Sequence, residues 1–399
     1  MITGRDIVYI SSIEWGFLWQ AHQEIARRLA GAGNRVLYIE NTGIRSPALI
    51  KDAKRVASRI GRWVGALRSR GVREVADNVF VCSPLVLPPF GSRPRRYLNR
   101  FFLLTIKRTI AQLGMRDPLL WTYLPTDTAV DLIRLTRTNR SSVVYYGVAD
   151  FSQLTPHTGS LRRSEQELLK LSDVVFANCT ELANRFSLAN DNVHVFAPGV
   201  DLLAFRLNGQ PRDPVALRDL APFQGPVIGY IGGLHRFVDF NLLRTMISSR
   251  PHWSWVLVGA PQANTDALQG LPNVHLTGQQ PHEKLASYIE AFDVCVVPYL
   301  NTPETSTVVP TKINEYLAVG KPVVTTDLPA VREFNERHRV LTTTPPKADS
   351  FLAAIESALA ATPDQLASER RRQVAALSDW KLQVEKMSSL IEEALAQKK

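Results

Sequence analysis

Cysteine is scarce in this chain of 399 residues, which contains only three. Cys82, Cys179 and Cys295 are odd in number and far apart, so they indicate neither a disulfide framework nor a metal-binding cluster. Disulfide bonds persist in oxidising compartments, and we therefore expect this protein in a reducing cytosol. The sequence shows no other cluster of metal ligands, so we expect neither a metal nor a cofactor.

Long hydrophobic runs are absent as well. No apolar stretch approaches the roughly 20 residues that span a bilayer. The first fifteen residues, MITGRDIVYISSIEW, contain a short strand pattern instead of the apolar region of a signal peptide. Hydrophobic residues make up 45% of the chain, which is typical of a globular protein. The length of the chain predicts two or three domains.

Acidic residues are scarce in one region. Residues 45–108 contain fifteen Lys/Arg and three Asp/Glu, a net charge of +12, whereas the whole chain carries +10. Within that region, apolar residues recur every three or four positions over residues 47–70, and a second basic cluster follows at 92–102. This pattern predicts a helix that lies on an anionic membrane surface. The alternative is a helix that packs on a sheet with a solvated basic face.

Short apolar strand patterns alternate with helical patterns along almost the whole chain. The first three are the strand pattern RDIVYIS, the helical pattern FLWQAHQEIARRLAGAG and the strand pattern RVLYIEN. Such strands, with helices between them, predict parallel sheets that are covered on both faces. Residues 199–225 interrupt the alternation with Pro and Gly, which predicts a linker. After the linker the alternation restarts, and the last 21 residues have the pattern of an amphipathic helix.

Two α/β units of similar size follow from this organisation. We predict an α/β fold with two Rossmann-like domains, at residues 1–203 and 204–378. The final helix, at residues 379–399, is predicted to pack back on the first domain. Because ligands of such sheets bind outside the carboxyl ends of the strands, we predict a site in a cleft that the two domains face.

Four stretches of the second half resemble, in order, the donor domain of the retaining family-four glycosyltransferases of the GT-B fold. These stretches are GYIGGLHRFVDFNLL, WSWVLVG, NVHLTGQQPHEKLASYIEAFDVCVVPY and PTKINEYLAVGKPVVTTDLPAV. In the first half, SDVVFANCTELANRF and VFAPGVDLLAF resemble the end of the acceptor domain, and SSVVYYGVADF resembles a bacterial subgroup that builds surface polysaccharides. The resemblance implies a nucleoside diphosphate sugar as the donor substrate.

Lys312 and Glu315 lie three residues apart at the predicted start of a helix. A lysine near a helix N-terminus meets a diphosphate with its own charge and with the helix dipole. A carboxylate accepts two hydrogen bonds from a ribose diol. The resemblance therefore implies that Thr311 and Lys312 bind the diphosphate and that Glu315 binds the ribose. The alternative is a surface ion pair between Lys312 and Glu315, worth about 0.2–0.5 kcal/mol.

Gly232 and Gly233 follow the strand pattern PVIGYI, and without a Cβ atom they let backbone amides approach a phosphate. The family usually has Gly-Arg here, so we expect Arg236 to supply the missing charge. The alternative is a tight turn with an exposed arginine. Asp239 is similar to an acidic residue of the subgroup, and it also suits a helix N-cap.

The chain departs from the family at one glutamate. The family has two glutamates eight positions apart, and the first holds the transferred sugar. Glu315 matches the second, but Thr307 occupies the position of the first, so Glu304 is the expected substitute. The resemblance also implies three residues that flank the base: Gly278, Gln279 and Gln280.

The first half contributes an acceptor side. Asp150 ends the strand pattern SSVVYYGVAD, and in the family this strand end faces the reacting sugar. Asp150 is therefore the predicted catalytic residue, which would orient the acceptor hydroxyl or receive its proton; a helix cap is the alternative. In the loop SSIEWGFLWQ, Gly16 would allow a close approach to the substrates, and Trp15 would stack on a sugar ring or pack in the core.

These residues together predict a retaining, metal-independent glycosyltransferase of the hexosyltransferase class. It would move a sugar to a glycan or polyprenyl-linked acceptor in bacterial surface polysaccharide synthesis. We expect it in the cytoplasm at the inner face of the plasma membrane, held there by residues 45–108. Nucleic acid is not an expected partner, because no recognition helix or RNA-binding signature is present. A nucleotide-sugar epimerase of the same fold and a non-catalytic pseudo-glycosyltransferase are the alternatives.

Overall fold

The structure is a computed structural model that describes residues 1–40, 72–84, 86–87, 93–154, 158–205, 225–362 and 364–397. The predicted amphipathic segment at 47–70 and most of the predicted linker lie outside these residues. The chain divides into two compact units, Met1–Phe196 with Gln383–Lys399, and Ala197–Leu382. The sequence pattern had placed these boundaries at residues 203 and 378.

The first unit contains an eight-stranded sheet. Its strands are β1 (Asp6–Ile10), β2 (Arg35–Ile39), β3 (Val72–Ala76), β4 (Val79–Cys82), β5 (Leu119–Thr122), β6 (Val143–Gly147), β7 (Val174–Ala177) and β8 (Val193–Val195). Their order is β3-β4-β2-β1-β5-β6-β7-β8, and only β3 and β4 pair antiparallel. The central strands are continuous buried apolar runs, because helices cover both faces of a parallel sheet.

The segment Met1–Phe196 contains five α-helices within the described residues. They are α1 (Ala21–Gly31), α2 (Arg93–Gln112), α3 (Asp127–Thr136), α4 (Thr158–Leu171) and α5 (Thr180–Phe186). The helical pattern at residues 17–33 predicted an earlier start for α1. The helix begins at Ala21, where the backbone N–H of the N-cap residue Gln20 donates to the side-chain oxygen of Gln23 at 3.2 Å.

The second unit contains a six-stranded sheet. Its strands are β9 (Val227–Ile231), β10 (Ser254–Val258), β11 (Val274–Gly278), β12 (Val294–Val297), β13 (Val323–Thr326) and β14 (Thr342–Thr344). Their order is β11-β10-β9-β12-β13-β14, and every pair is parallel. The chain order reverses between β9 and β12, so the carboxyl ends of these two strands border the expected ligand position.

The remaining helices begin with the short α6 (Leu202–Phe205). They continue with α7 (Phe240–Ser249), α8 (Leu285–Ala291), α9 (Lys312–Val319), α10 (Pro329–His338), α11 (Ala348–Ala360), α12 (Gln365–Leu377) and α13 (Trp380–Ala396). Helix α13 is the predicted final helix, and its residues from Gln383 onward belong to the first unit. The predicted α/β fold with two parallel-sheet domains is thus confirmed. Among the described residues, no helix is both long and apolar enough to cross a membrane.

Candidate functional site

The chain turns sharply at Gly232, directly after β9. Gly232 has a φ of +106°, a left-handed conformation that glycine adopts without strain. Its backbone N–H donates to the carbonyl oxygen of Val258 at 2.8 Å, which ties the ends of β9 and β10 together. A Cβ atom on Gly232 would lie 3.1 Å from the Nζ atom of Lys312. Both the backbone conformation and the space beside the lysine therefore require glycine here.

The ammonium group of Lys312 is buried, and the residue is only 6% exposed. Its Nζ donates to the hydroxyl oxygens of Tyr230 at 2.8 Å and Tyr299 at 2.7 Å. The same atom lies 4.2 Å and 4.9 Å from the centroids of these two rings, within cation–π range. The surface ion pair considered for Lys312 is therefore not formed. Within the part of the chain that the structure describes, no carboxylate pairs with this lysine.

Tyr230 connects the lysine to the glycine turn. Its hydroxyl accepts from Lys312 and donates to the carbonyl oxygen of Gly233 at 3.0 Å. Burial raises the pKa of Tyr230 well above its ordinary value, so it keeps its proton for this bond. One turn after Lys312, the Tyr316 hydroxyl accepts from the backbone N–H of Ile231 at 2.8 Å. Helix α9 and the end of β9 are thus joined by two tyrosine hydroxyls.

Tyr299 receives a second donor from His235. The Nδ1 atom of His235 accepts from the backbone N–H of Phe237 at 3.2 Å, so the neutral ring carries its proton on Nε2. That Nε2 lies 3.0 Å from the Tyr299 hydroxyl and donates to it. The sequence analysis missed Tyr230, Tyr299 and His235. Both tyrosines lie in or directly after a buried strand pattern, PVIGYI and DVCVVPY, which was an available signal.

Glu315 lies on α9, three residues after Lys312, and contacts a histidine. Its Oε1 atom is 3.9 Å from Nε2 of His282, in the short 3₁₀-helix His282–Lys284 that follows β11. Burial raises the pKa of the Glu315 carboxyl above its ordinary value, although His282 and Lys312 oppose this shift with their charges. His282 was not predicted. Thr311, the residue before α9, is exposed and makes no capping bond with its side chain.

The predicted base-flanking residues follow β11, the edge strand. Gly278 has a left-handed φ of +70°, and Gln279 is exposed. The side-chain amide of Gln280 donates to the carbonyl oxygen of Thr277 at 3.3 Å. This segment leads directly into the 3₁₀-helix whose first residue, His282, contacts Glu315.

Arg236 and Glu304, predicted for different parts of the donor, are bonded to each other. Their side chains form an ion pair of 2.9 Å, and the Arg236 guanidinium also lies over the ring of Phe237. Arg236 borders a cavity of about 370 Å³, which Asp239 also lines. The Asp239 carboxylate accepts from the backbone N–H of Leu242 at 2.9 Å, so the N-cap interpretation of Asp239 is confirmed.

In the first unit, Asp150 follows β6, and both oxygens of its carboxylate have partners. One carboxylate oxygen pairs with Arg185 at 2.8 Å, and the other accepts from the backbone N–H and the hydroxyl of Ser152. Asp150 therefore caps the 3₁₀-helix Phe151–Leu154, as its alternative interpretation predicted. Burial alone would raise the pKa of Asp150, but the Ser152 bonds and the Arg185 charge outweigh burial and lower it. The carboxyl is thus ionised at neutral pH.

Trp15 packs as part of an aromatic group. Its ring meets those of Trp19 and Tyr38 edge to face, at centroid distances of 5.8 Å and 5.1 Å. Its backbone N–H donates at 2.8 Å to the buried carboxylate of Glu40, at the end of β2. This arrangement favours the packing interpretation of Trp15. Gly16, the next residue, is exposed, and a side chain there would meet open space.

The fold and the arrangement of residues around Lys312 define a class of protein. Two parallel-sheet domains, one of which presents a buried cation at the carboxyl edge of its sheet, are typical of proteins that bind nucleotides. In the described residues, no group of three His, Cys, Asp or Glu side chains is arranged to hold a metal ion.

Comparison with known proteins makes this class specific. Residues 225–361, which lie in the second unit, match the family described as glycosyl transferases group 1. The predicted resemblance is confirmed. A Bacillus subtilis protein named as a teichuronic acid biosynthesis glycosyltransferase, TuaH, is 31% identical over 204 residues, which cover 50% of this chain and 51% of the relative. The match therefore spans about half the length of this curated relative.

Solved structures extend the likeness of fold to the whole chain. The sucrose-phosphate synthase of Thermosynechococcus elongatus superimposes with a TM-score of 0.72 and 19% identity, over 98% of this chain and 100% of that one. Anabaena HepE, solved in complex with UDP and glucose, gives a TM-score of 0.67 and 16% identity over the same shares. At these identities the likeness establishes the two-domain GT-B fold.

Proposed function

We propose that this protein is a glycosyltransferase that takes a sugar from a nucleoside diphosphate sugar. The observation that carries the proposal is the buried Lys312 ammonium, which has two tyrosine hydroxyls and, within the described residues, no carboxylate as partners. A buried charge is costly unless a charge of opposite sign joins it. A diphosphate would supply that charge and accept the third N–H of the ammonium.

The position of Lys312 suits the chemistry of transfer. It is the first residue of α9, where the helix dipole adds to its charge. When the sugar leaves, negative charge develops on the diphosphate, and groups arranged around that position stabilise the transition state. Because Lys312 and Arg236 are both cations, we include metal independence in the proposal. Glu315 would bind the ribose, and Gly278, Gln279 and Gln280 would flank the base.

The names of the relatives support a role in the synthesis of bacterial surface polysaccharides. TuaH is named for teichuronic acid biosynthesis, and HepE has been solved with UDP and glucose. We therefore propose that the acceptor is a glycan or a polyprenyl-linked molecule in bacterial surface polysaccharide synthesis. The sugar would be transferred to it with retention of the anomeric configuration. Asp150, ionised in its folded environment, would orient the acceptor hydroxyl. A lipid-linked acceptor would place the enzyme in the cytoplasm, at the inner face of the plasma membrane.

Titration calorimetry with UDP, GDP and dTDP tests the donor site. We expect the protein to bind at least one of these and Lys312→Met to weaken that binding about ten- to a hundredfold, as the loss of a hydrogen bond to a charged group predicts. Methionine keeps the buried volume, and Lys347→Met, at an exposed lysine of the same unit, is the matched control. If wild-type protein binds none of the three nucleotides, the donor-site proposal is wrong.

A product assay separates transfer from the alternatives. With nucleotide sugars and a bacterial lipid extract as acceptor, we expect a glycosylated lipid whose new bond keeps the anomeric configuration of the donor, with or without a chelator. Conversion of a free nucleotide sugar into its epimer without acceptor would identify an epimerase instead. Nucleotide binding with no product from any donor would favour the non-catalytic alternative.

A further inference from the structure

Helix α2 presents large apolar side chains to solvent. Tyr97 is 76% exposed and Phe101 is 67% exposed, and Leu98 and Leu104 are exposed as well. Steps of four and three residues place Tyr97, Phe101 and Leu104 on one side of the helix. We call these four residues the outward face of α2. Burying such side chains is favourable, so an outward face of this kind marks an interaction surface.

Other residues of α2 hold the helix firmly in the first unit. Asn99 is buried and exchanges two hydrogen bonds of 2.9 Å with the backbone of Leu87. Arg96 and Arg100 each donate two hydrogen bonds to the carboxylate of Asp131 on α3. These bonds fix the rotation of α2 about its axis. Its outward face is therefore exposed by the architecture of the unit.

The charged residues of α2 itself all have one sign. The sequence of α2, RPRRYLNRFFLLTIKRTIAQ, contains no acidic residue. Arg95, Lys107 and Arg108 are exposed and form no ion pair within the described residues, whereas Arg96 and Arg100 already share Asp131. An apolar stripe with exposed cations beside it matches a surface of apolar chains and negatively charged headgroups.

We propose that the outward face of α2 inserts into the headgroup region of an anionic lipid bilayer. Tyr97, Phe101 and Leu104 would enter the boundary between headgroups and acyl chains, while Lys107 and Arg108 bind lipid phosphates. An acidic protein surface would satisfy the cations, but a single convex helix offers it no groove. This inference deepens the membrane part of the proposed function and does not depend on the transfer reaction.

Vesicle flotation tests the proposal. Full-length protein is mixed with vesicles of phosphatidylcholine alone, or of phosphatidylcholine and phosphatidylglycerol in equal amounts. We expect flotation with the anionic vesicles only. The double variant Tyr97→Ser/Phe101→Ser and the double variant Lys107→Glu/Arg108→Glu should each bind at least tenfold more weakly. Leu188→Ser, at a residue of the first unit that is 87% exposed, is the matched control and should float like wild type.

A fluorescent label reports insertion directly. The three native cysteines are buried, so a polarity-sensitive thiol dye would react selectively with Phe101→Cys or with the control Leu188→Cys. We expect the emission of the dye at position 101 to shift to the blue on addition of anionic vesicles, and the emission at position 188 to stay unchanged.

Three outcomes would overturn the proposal. The first is equal binding of the protein to both vesicle types. The second is binding of the Tyr97→Ser/Phe101→Ser variant as strong as that of wild type. The third is an emission of the dye at position 101 that does not change when anionic vesicles are added. A concentration-dependent dimer that the same variant abolishes, with no vesicle binding, would assign the outward face to a second copy of the chain. Calorimetry with UDP, GDP and dTDP on the same variants keeps this result separate from the donor site, because loss of lipid binding should leave nucleotide affinity unchanged.

Discussion

The ammonium nitrogen of Lys312 lies 2.7 Å from the hydroxyl oxygen of Tyr299, and the two residues are thirteen positions apart in the chain. Tyr299 follows β12, and Lys312 begins α9, so the contact joins two elements at the carboxyl edge of one sheet. His235 donates to the same hydroxyl. A lysine held in this way keeps its position before a ligand arrives, which reduces the ordering cost of binding.

Tyr299→Phe removes one hydrogen bond of the lysine and keeps the aromatic ring. A hydrogen bond to a charged group is worth about 1.5–3 kcal/mol, so we expect nucleoside diphosphate affinity to fall about tenfold. Affinity for the matching monophosphate should fall less, if Lys312 contacts the second phosphate. Calorimetry with both nucleotides measures the difference. Tyr146→Phe, which removes another buried hydroxyl, is the control and should leave nucleotide affinity unchanged.

Glu315→Gln tests the predicted ribose contact. An ionised carboxylate accepts from a diol more strongly than an amide does, so we expect the variant to bind the nucleoside diphosphate roughly tenfold more weakly. Wild type should prefer the ribonucleotide to its 2′-deoxy form, and the variant should lose this preference. If wild type and the variant prefer the ribonucleotide over its 2′-deoxy form to the same degree, Glu315 does not bind the ribose. Its role would then be the contact with His282.

Glu304→Gln separates the predicted diphosphate binding by Arg236 from the predicted sugar binding by Glu304. The ion pair between Arg236 and Glu304 is partly exposed, so breaking it should change stability by less than about 1 kcal/mol. If Arg236 binds the diphosphate, the variant frees it, and affinity for the free nucleoside diphosphate rises. If Glu304 also holds the sugar, affinity for the nucleotide sugar falls at the same time. Arg236→Ala should weaken binding of both ligands.

Asp150→Asn addresses the catalytic role. We expect turnover to fall about 10²–10⁴-fold while donor affinity stays unchanged, because the residue would act on the acceptor hydroxyl. Initial rates at saturating donor, together with calorimetry of the nucleotide, give the two quantities. Asparagine still accepts from Ser152 but removes one of the two carboxylates that pair with Arg185, so thermal stability is measured beside the rates. If turnover falls only in proportion to the loss of folded protein, the catalytic role is contradicted and Asp150 serves only as a helix cap.

His22 predicts a pH dependence of stability in the first unit. Burial lowers its pKa to about 3, and its ring stacks on Tyr123 at a centroid distance of 3.6 Å. The unfolded chain binds a proton near pH 6.5, whereas the folded chain does not, so stability falls as the pH drops below 6.5. We expect a loss of about 2 kcal/mol between pH 7 and pH 5.

Denaturant unfolding at both pH values measures this loss. In His22→Asn the part of the pH dependence that His22 causes should disappear, whatever the substitution does to stability at pH 7. His252→Asn, at an exposed histidine, should keep the wild-type dependence. The same slope in His22→Asn and wild type would contradict the prediction.

Much of the architecture follows from the sequence alone. Short continuous apolar runs indicate which segments are strands, and the helical patterns between them favour parallel pairing, because a parallel connection needs a crossover. Gly232 and Lys312 could be named from their places next to a strand end and a helix start. Local pattern suffices in these cases because the physical cause, a backbone conformation or a helix terminus, is itself local.

Only the tertiary structure decided which side chains meet. Sequence spacing suggested Lys312 with Glu315, but folding surrounds Lys312 with Tyr230 and Tyr299, residues 82 and 13 positions away. It also turned Glu315 toward His282 and paired Arg236 with Glu304. Contacts of this kind depend on how strands are ordered in the sheet and on how rotamers fill the space between elements. Neither can be read from spacing along the chain.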